Sequence, residues 1–167
     1  MPKRGLQNVS TELSQNSAIN RVRTIADYQF GRGAGVALFP DECTFKLSTT
    51  KRIRYVMLDK VRIATVRAHD GRFTLAIEGA ERLWHYLPAP VYRVSVTEEV
   101  AEFMMKGKNA MAKHVTAADP GIMAGDEVLV VTGDDQLIAT GNALLSGDEM
   151  MAFNYGGAVQ VRSGRSI

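Results

Sequence analysis

The sequence predicts an α+β fold, a small α/β module followed by a β pseudo-barrel with short helices. Three observations predict it. Short runs of β-branched and aromatic residues recur between turn signals. Helical spacing of apolar residues is confined to brief stretches. The charge also changes sign along the chain: 14 Lys and Arg face 8 Asp and Glu through Tyr92, and 6 face 10 beyond it. With 167 residues, 46 % hydrophobic and 23 % charged, the composition supports packed cores and excludes bulk disorder. The expected organisation is a flexible arm over residues 1–17, an α+β module over 18–90 and a barrel domain over 91–167, with the boundary near Pro88–Arg93.

The elements follow in order. Met1 to Ser17 lacks apolar periodicity and reads as a frayed arm. Ser17 is placed to cap a helix that carries Ile19, Val22, Ile25 and Ala26 on one face and stops at Gly31. Gly31 to Gly35 is too rich in glycine to remain helical and reads as a tight passage into a strand; it lacks the GK[ST] of a phosphate loop. Thr44–Leu47, Ile53–Leu58, Val61–Val66 and Phe73–Ile77 read as strands, with turns at Asp59-Lys60 and Asp70-Gly71. A helix over Glu78–Leu87 turns Ala80, Leu83, Trp84 and Leu87 inward and ends before Pro88.

The second half opens with a strand at Tyr92–Val96. The helix that starts at Thr97 is expected to bury Val100, Phe103 and Met104 and to end at a left-handed Gly107. A strand over Asn109–Thr116 leads to a turn at Asp119–Gly121. Val128–Thr132 looks like a strand buried on both faces. Gln136–Leu145, a helix over Ser146–Phe153 and a last strand at Ala158–Arg162 complete a compact barrel.

Several function classes are excluded. No run of about 18 apolar residues occurs, and the polar start has neither a signal nor a transit pattern, so a cytoplasmic protein without a membrane partner is expected. The single cysteine, Cys43, rules out an internal disulfide and multi-thiolate zinc sites, and reads as a small buried residue. His69, His85 and His114 are too scattered for a metal cage. The acid pairs Glu98-Glu99, Asp134-Asp135 and Asp148-Glu149 sit at helix starts and turn tips, where carboxylates bind free N–H groups. No catalytic constellation, metal or cofactor is expected, and the chain is read as no enzyme.

Two basic clusters remain. Lys106, Gly107, Lys108 and Lys113 gather where a helix terminus meets a strand, and strand alternation would put Asn109, Met111 and Lys113 on one face. Such cations suit successive phosphates, and equally a solvated turn with a lysine at a helix C-terminus. Arg52 and Arg54 share strand parity, with Arg62 and Arg67 on later strands; an exposed sheet face is the alternative. Tyr55, Trp84 and Tyr155 are candidates for stacking on bases or for the core.

Two stretches go beyond pattern. Arg23 to Gly35, reading RTIADYQFGRGAG, with Ala37-Leu-Phe-Pro40, Asp70-Gly-Arg-Phe-Thr-Leu75 and Glu78-Gly-Ala-Glu-Arg-Leu83, resembles the module that precedes the PUA domain in archaeal tRNA-guanine transglycosylases, the archaeosine family. Tyr92 to Arg162 is similar to the PUA domain of the same family, through Lys106-Gly-Lys, Ala112-Lys-His-Val115, Asp119-Pro, Gly125 to Val131, Ala139-Thr-Gly-Asn-Ala143, Glu149-Met150 and Ala158 to Arg162.

The resemblance implies a PUA-type pseudo-barrel that grips the tRNA acceptor stem and 3′ end. It places the contact surface on Lys106, Gly107, Lys108, Lys113 and Arg162, and departs from the family's phenylalanines at Met111 and His114. In that family a separate barrel domain supplies the nucleophilic aspartate and zinc, and this sequence does not contain it. The resemblance therefore implies a non-catalytic tRNA-binding protein, with a separately encoded catalytic transglycosylase subunit as a possible partner. A PUA module in ribosome assembly or translation, and a protein scaffold without RNA binding, are the alternatives.

Overall fold

The computed structural model describes residues 3–166, with side chains from residue 14 onward. By its internal contacts the chain forms two compact units, Met1–Phe73 and Thr74–Ile167. The mixed helix and strand content and the barrel-like second sheet agree with the expected α+β class.

The first unit begins with helix α1, Lys3–Phe30. The helix does not start at Ser17: no proline lies between Pro2 and Phe30, so hydrogen bonding propagates through the polar segment from a buried anchor. Part of the flexible arm expected over residues 1–17 lies outside the described residues. Ile19, Val22, Ala26 and Phe30 form the buried face of α1.

The glycine-rich passage after α1 contains a second helix, α2, Ala34–Leu38, in place of a direct run into a strand. Gly31 at φ 112° and Gly33 at φ 92° reverse the chain with left-handed backbone. The Asp27 carboxylate then accepts the Gly35 amide at 2.7 Å, anchoring the new helix to the old one. A Cβ on Gly35 would lie 2.2 Å from the Arg23 carbonyl oxygen, so the two helix backbones meet where only hydrogen fits.

Strands β1 (Thr44–Leu47), β2 (Ile53–Leu58), β3 (Val61–Val66) and β4 (Phe73–Leu75) form a sheet in the order β1-β2-β3-β4. The β1–β2 and β2–β3 pairs are antiparallel. Asp59 and Lys60, at φ 50° and 67°, make the tight turn expected between β2 and β3. Phe39 packs on Phe73 with ring centres 5.1 Å apart, and Cys43 is buried as expected of a small apolar residue.

In the second unit, helix α3 (Ile77–Tyr86) buries Ala80 and Leu83, with Leu87 at its C-cap. Trp84 is half-buried, and its indole N–H donates to the Asp135 carbonyl at 3.1 Å. Strand β5 (Arg93–Val96) leads to helix α4 (Glu98–Met105). Val100 and Met104, four residues apart, point into the core, whereas Phe103 is 56 % exposed. A three-residue step from Val100 keeps it beside that stripe, yet it lies at the solvent edge of the stripe and is not buried as the sequence predicts.

The expected strand over Asn109–Thr116 is split. Strand β6 is only Ala110–Met111, a 3₁₀ turn occupies Ala112–His114, and β7 is Val115–Ala118. The physical reason lies in the sheet order, β6-β10-β9-β8-β5-β7, with β8 at Glu127–Val131, β9 at Leu137–Ala143 and β10 at Gly157–Gly164. β6 and β7 occupy opposite ends of that sheet yet adjoin in the chain. The sheet must therefore curl until its ends approach, and the 3₁₀ turn carries the chain across the seam.

β8 is buried at every position and pairs in parallel with β5 and antiparallel with β9. Val94, Val96, Ile122, Val128, Val130, Ile138 and Val159 fill the barrel. Helix α5 (Gly147–Ala152) starts with a capping box: the Ser146 hydroxyl accepts the Glu149 amide at 3.2 Å, and the Ser146 amide donates to the Glu149 carboxylate at 3.0 Å.

Candidate nucleic-acid interface

Of the acid pairs, Asp134, Asp135 and Glu149 serve as structural anchors. Asp135 holds buried Arg93 at 2.7 Å, and Arg93 also donates to the Trp84 carbonyl at 2.9 Å. Asp134 accepts the Thr132 hydroxyl. Two hydrogen bonds from Ser146, from its amide and its side chain, hold the Glu149 carboxyl below the usual glutamate range. Among the described residues, no three His, Cys, Asp or Glu side chains come together to hold a metal ion, and no helix is long and apolar enough to cross a membrane.

The lysine cluster is built on the end of α4. Lys106 caps the helix and its ammonium turns back to Glu102 at 3.2 Å. Gly107, at φ 94°, supplies the left-handed terminus, and open space surrounds its α-carbon. The Lys108 amide donates to the Phe103 carbonyl at 3.0 Å, closing the terminus and freeing the Lys108 side chain to face solvent. Lys113 projects from the 3₁₀ turn on the far side of β6 and is also exposed.

Strand alternation does not unite Asn109, Met111 and Lys113. The Asn109 side-chain oxygen accepts the Val161 amide at 3.1 Å, substituting for a ladder bond beside the short β6. Met111 pairs with Gly157 across β6 and β10 and is 37 % exposed. Arg162 is drawn elsewhere: its guanidinium is bound to the carboxylate of Glu127, whose side chain is 1 % exposed. Arg93, Lys106, Arg162 and Arg165 of this unit are all paired with carboxylates, whereas no partner holds the Lys108 or Lys113 side chain among the described residues.

Exposed aromatic groups accompany these lysines, and of them the sequence reasoning missed Phe153. Phe153 stacks on Tyr155 with centres 6.0 Å apart, and the two are 39 % and 73 % exposed. Their loop runs into Gly156, whose carbonyl accepts the Ala112 amide at 2.9 Å, which fixes it beside the 3₁₀ turn that carries Lys113. Tyr155 fits the stacking alternative and not the core. No sequence signal separated Phe103 and Phe153 from core aromatics, because both fall at apolar positions of short helices.

The second cluster lies wholly in the first unit. Arg52, Arg54 and Arg67 line a cleft of about 780 Å³, joined by Arg21 from α1. Arg62 is not in its lining; it lies over the Tyr55 ring at 5.0 Å, with Arg54 at 5.3 Å. Arg67 binds Asp70 at 2.8 Å. Although burial raises the Asp70 pKa, the Arg72 amide and the nearby Arg67 and His69 pull it below the usual aspartate range. Arg21 was not singled out in the sequence because it lies far from the other three along the chain.

Comparison with known proteins places these two regions. Residues 20–90 match the family described as patch-forming domain C2 of tRNA-guanine transglycosylase, and residues 92–165 match the PUA domain. The chain is 50 % identical over 153 residues to the tRNA-guanine(15) transglycosylase of Pyrococcus abyssi, covering 92 % of this chain and 26 % of that protein. It is 47 % identical over 147 residues to that of Methanothermobacter thermautotrophicus, covering 87 % of this chain and 22 % of the other. The chain thus spans about a quarter of the length of these relatives.

Among solved structures, a hypothetical protein of Pyrococcus horikoshii shares the fold, with a TM-score of 0.68 at 22 % identity over 87 % of this chain and 89 % of the other. A conserved PUA domain protein of Thermoplasma acidophilum has a TM-score of 0.61 at 16 % identity, covering 92 % and 91 % of the two chains.

Proposed function

We propose, for a chain whose residues 20–90 match domain C2 of tRNA-guanine transglycosylase and whose residues 92–165 match the PUA domain, a non-catalytic role in binding tRNA, as an accessory to guanine transglycosylation. The PUA domain and the kinship with transglycosylases support an RNA-binding role. In this reading the PUA domain takes the acceptor stem and 3′ end. Chemistry falls to a separately encoded catalytic subunit, and the protein works in the cytoplasm.

One observation carries the reading: Lys108 and Lys113 flank β6 as exposed ammonium groups with no carboxylate partner among the described residues, while neighbouring cations are neutralised by ion pairs. Unpaired cations keep their charge available for phosphates, and neutralising phosphates releases counterions. The Phe153–Tyr155 stack and Met111 add apolar surface for unpaired bases of a single-stranded end. Asn109, Gly107 and Arg162 shape this surface through backbone conformation and anchoring, while Lys106 is shared with Glu102.

Crosslinking to RNA in cells, followed by sequencing of the bound fragments and identification of co-purified proteins, tests the reading. tRNA 3′ ends and a catalytic transglycosylase are expected. Recovery of ribosomal particles in their place would support the assembly or translation alternative, and recovery of no RNA would reject both.

A further inference from the structure

The cleft of the first unit is chemically one-sided. Its lining includes Arg21 from α1, Arg52 just before β2, Arg54 within it and Arg67 just past β3, but no carboxylate among the described residues. Arg67 is engaged by Asp70. The side chains of Arg21 and Arg52 have no hydrogen-bond or ion-pair partner among the described residues. Guanidinium groups gathered around a cleft repel one another and draw in an anion, and their planar forks match phosphate oxygens two at a time.

The cleft is more than a basic patch. Val22 and Ile25 from α1 and Ile53 and Val66 from the sheet supply an aliphatic wall. Ile25, Ile53 and Val66 are only half-buried, so the wall is incompletely covered by protein. The Ser48 and Thr50 hydroxyls, 3.0 Å apart, stand in the same lining. A volume of about 780 Å³ lies in the usual range for small-ligand sites. Inorganic phosphate would engage the arginines and leave the aliphatic wall wet, whereas an anion bearing a flat apolar ring would use both.

We propose that this cleft binds a single nucleoside phosphate, with the phosphate on Arg21 and Arg52 and the base against Ile25, Ile53 and Val66. The nucleotide is either an unstacked residue of a bound RNA, in which case the proposal rests on the RNA-binding reading above, or a free nucleotide of the same chemistry.

The test uses the full chain with labelled isoleucine methyl groups, titrated separately with adenosine 5′-monophosphate, inorganic phosphate and a single-stranded hexaribonucleotide. The Ile25 and Ile53 signals are expected to move with the monophosphate, and phosphate alone should bind at least about tenfold more weakly. An Arg21→Ala, Arg52→Ala double variant with an otherwise native spectrum should lose about tenfold or more in affinity. Movement of the same signals with the hexamer would assign the ligand to RNA, and movement with the monophosphate alone would assign a free nucleotide.

Unmoved Ile25 and Ile53 signals with both nucleotide probes would overturn the proposal, as would phosphate binding as tightly as the monophosphate. Unchanged affinity in the natively folded double variant would do the same. A protein that binds tRNA with these signals unmoved would lose the cleft proposal and keep the RNA-binding reading. One that binds the monophosphate but no tRNA would keep the cleft and lose that reading.

Discussion

Arg162 and Glu127 form an ion pair in which the carboxylate is almost wholly buried and the guanidinium half-exposed. Glu127 also accepts the Leu75 amide at 2.6 Å, so a single carboxylate holds both Leu75 and β10 to β8. A buried carboxylate persists only with such partners, and losing one leaves a charge in a poor environment. Arg162 is therefore committed to the barrel before any ligand arrives.

Replacing Arg162 by alanine should lower stability by about 2 kcal/mol, toward the lower end for a broken buried pair because the guanidinium is partly solvated. Urea unfolding of the variant measures this. Binding to tRNA, measured where the variant is fully folded, should fall less than in the Lys108 and Lys113 variants.

Gly35→Ala should be among the most damaging small substitutions in the first unit. The added methyl would overlap the Arg23 backbone, which can yield only by parting α1 from α2. A loss of about 3 kcal/mol is expected. Gly107→Ala meets open space and should lose only about 1 kcal/mol, through left-handed backbone strain. Thermal unfolding of both variants tests the ordering.

The capping box of α5 makes a prediction about pH. The Ser146 bonds lower the Glu149 pKa in the folded protein. That contribution is complete above the ordinary glutamate value and disappears as pH falls through the lowered one. Titration followed by NMR should place Glu149 below an unperturbed glutamate, and Ser146→Ala should move it back up. An unchanged value in the variant would refute the hydroxyl's part in the shift, since alanine keeps the amide hydrogen bond that lowers it most.

Much of the fold was legible because periodicity reports burial directly. The wholly apolar run after Glu127 reads as a strand covered on both faces, and β8 is one. What periodicity misses are contacts decided by distant partners. Nothing near Glu127 in sequence announces that Arg162 will meet it. The polar start of α1 has no face to read, since its helicity propagates from residues farther along. The strand expected over Asn109–Thr116 fails because barrel closure demands a turn at Ala112–His114, a requirement of the whole sheet.

The candidate interface was legible to a similar degree. Lys106 and Lys108 flank the glycine that ends α4 and Lys113 lies beyond β6, but the sequence cannot reveal which cations are neutralised. Glu102 claims Lys106 and Glu127 claims Arg162, leaving Lys108 and Lys113. In the first unit, Arg21 joins Arg52 and Arg54 only through the packing of α1 near the sheet.

The Phe153–Tyr155 stack should contribute to single-stranded ends more than to duplex. Tyr155→Ala is expected to weaken binding of a single-stranded 3′ end by about 1–2 kcal/mol while leaving the salt dependence of tRNA binding unchanged. Equal losses for blunt duplex and single strand would argue against base stacking there.

The central claim is tested most directly by filter binding of tRNA across a salt series, with the wild-type chain beside a Lys108→Glu, Lys113→Glu double variant. The wild type should lose affinity steeply and log-linearly as salt rises, and the variant should bind at least about tenfold more weakly with a slope shallower by about two. Salt-insensitive binding, or equal affinity and slope in the two proteins, would contradict the assignment of those ammonium groups to the RNA backbone.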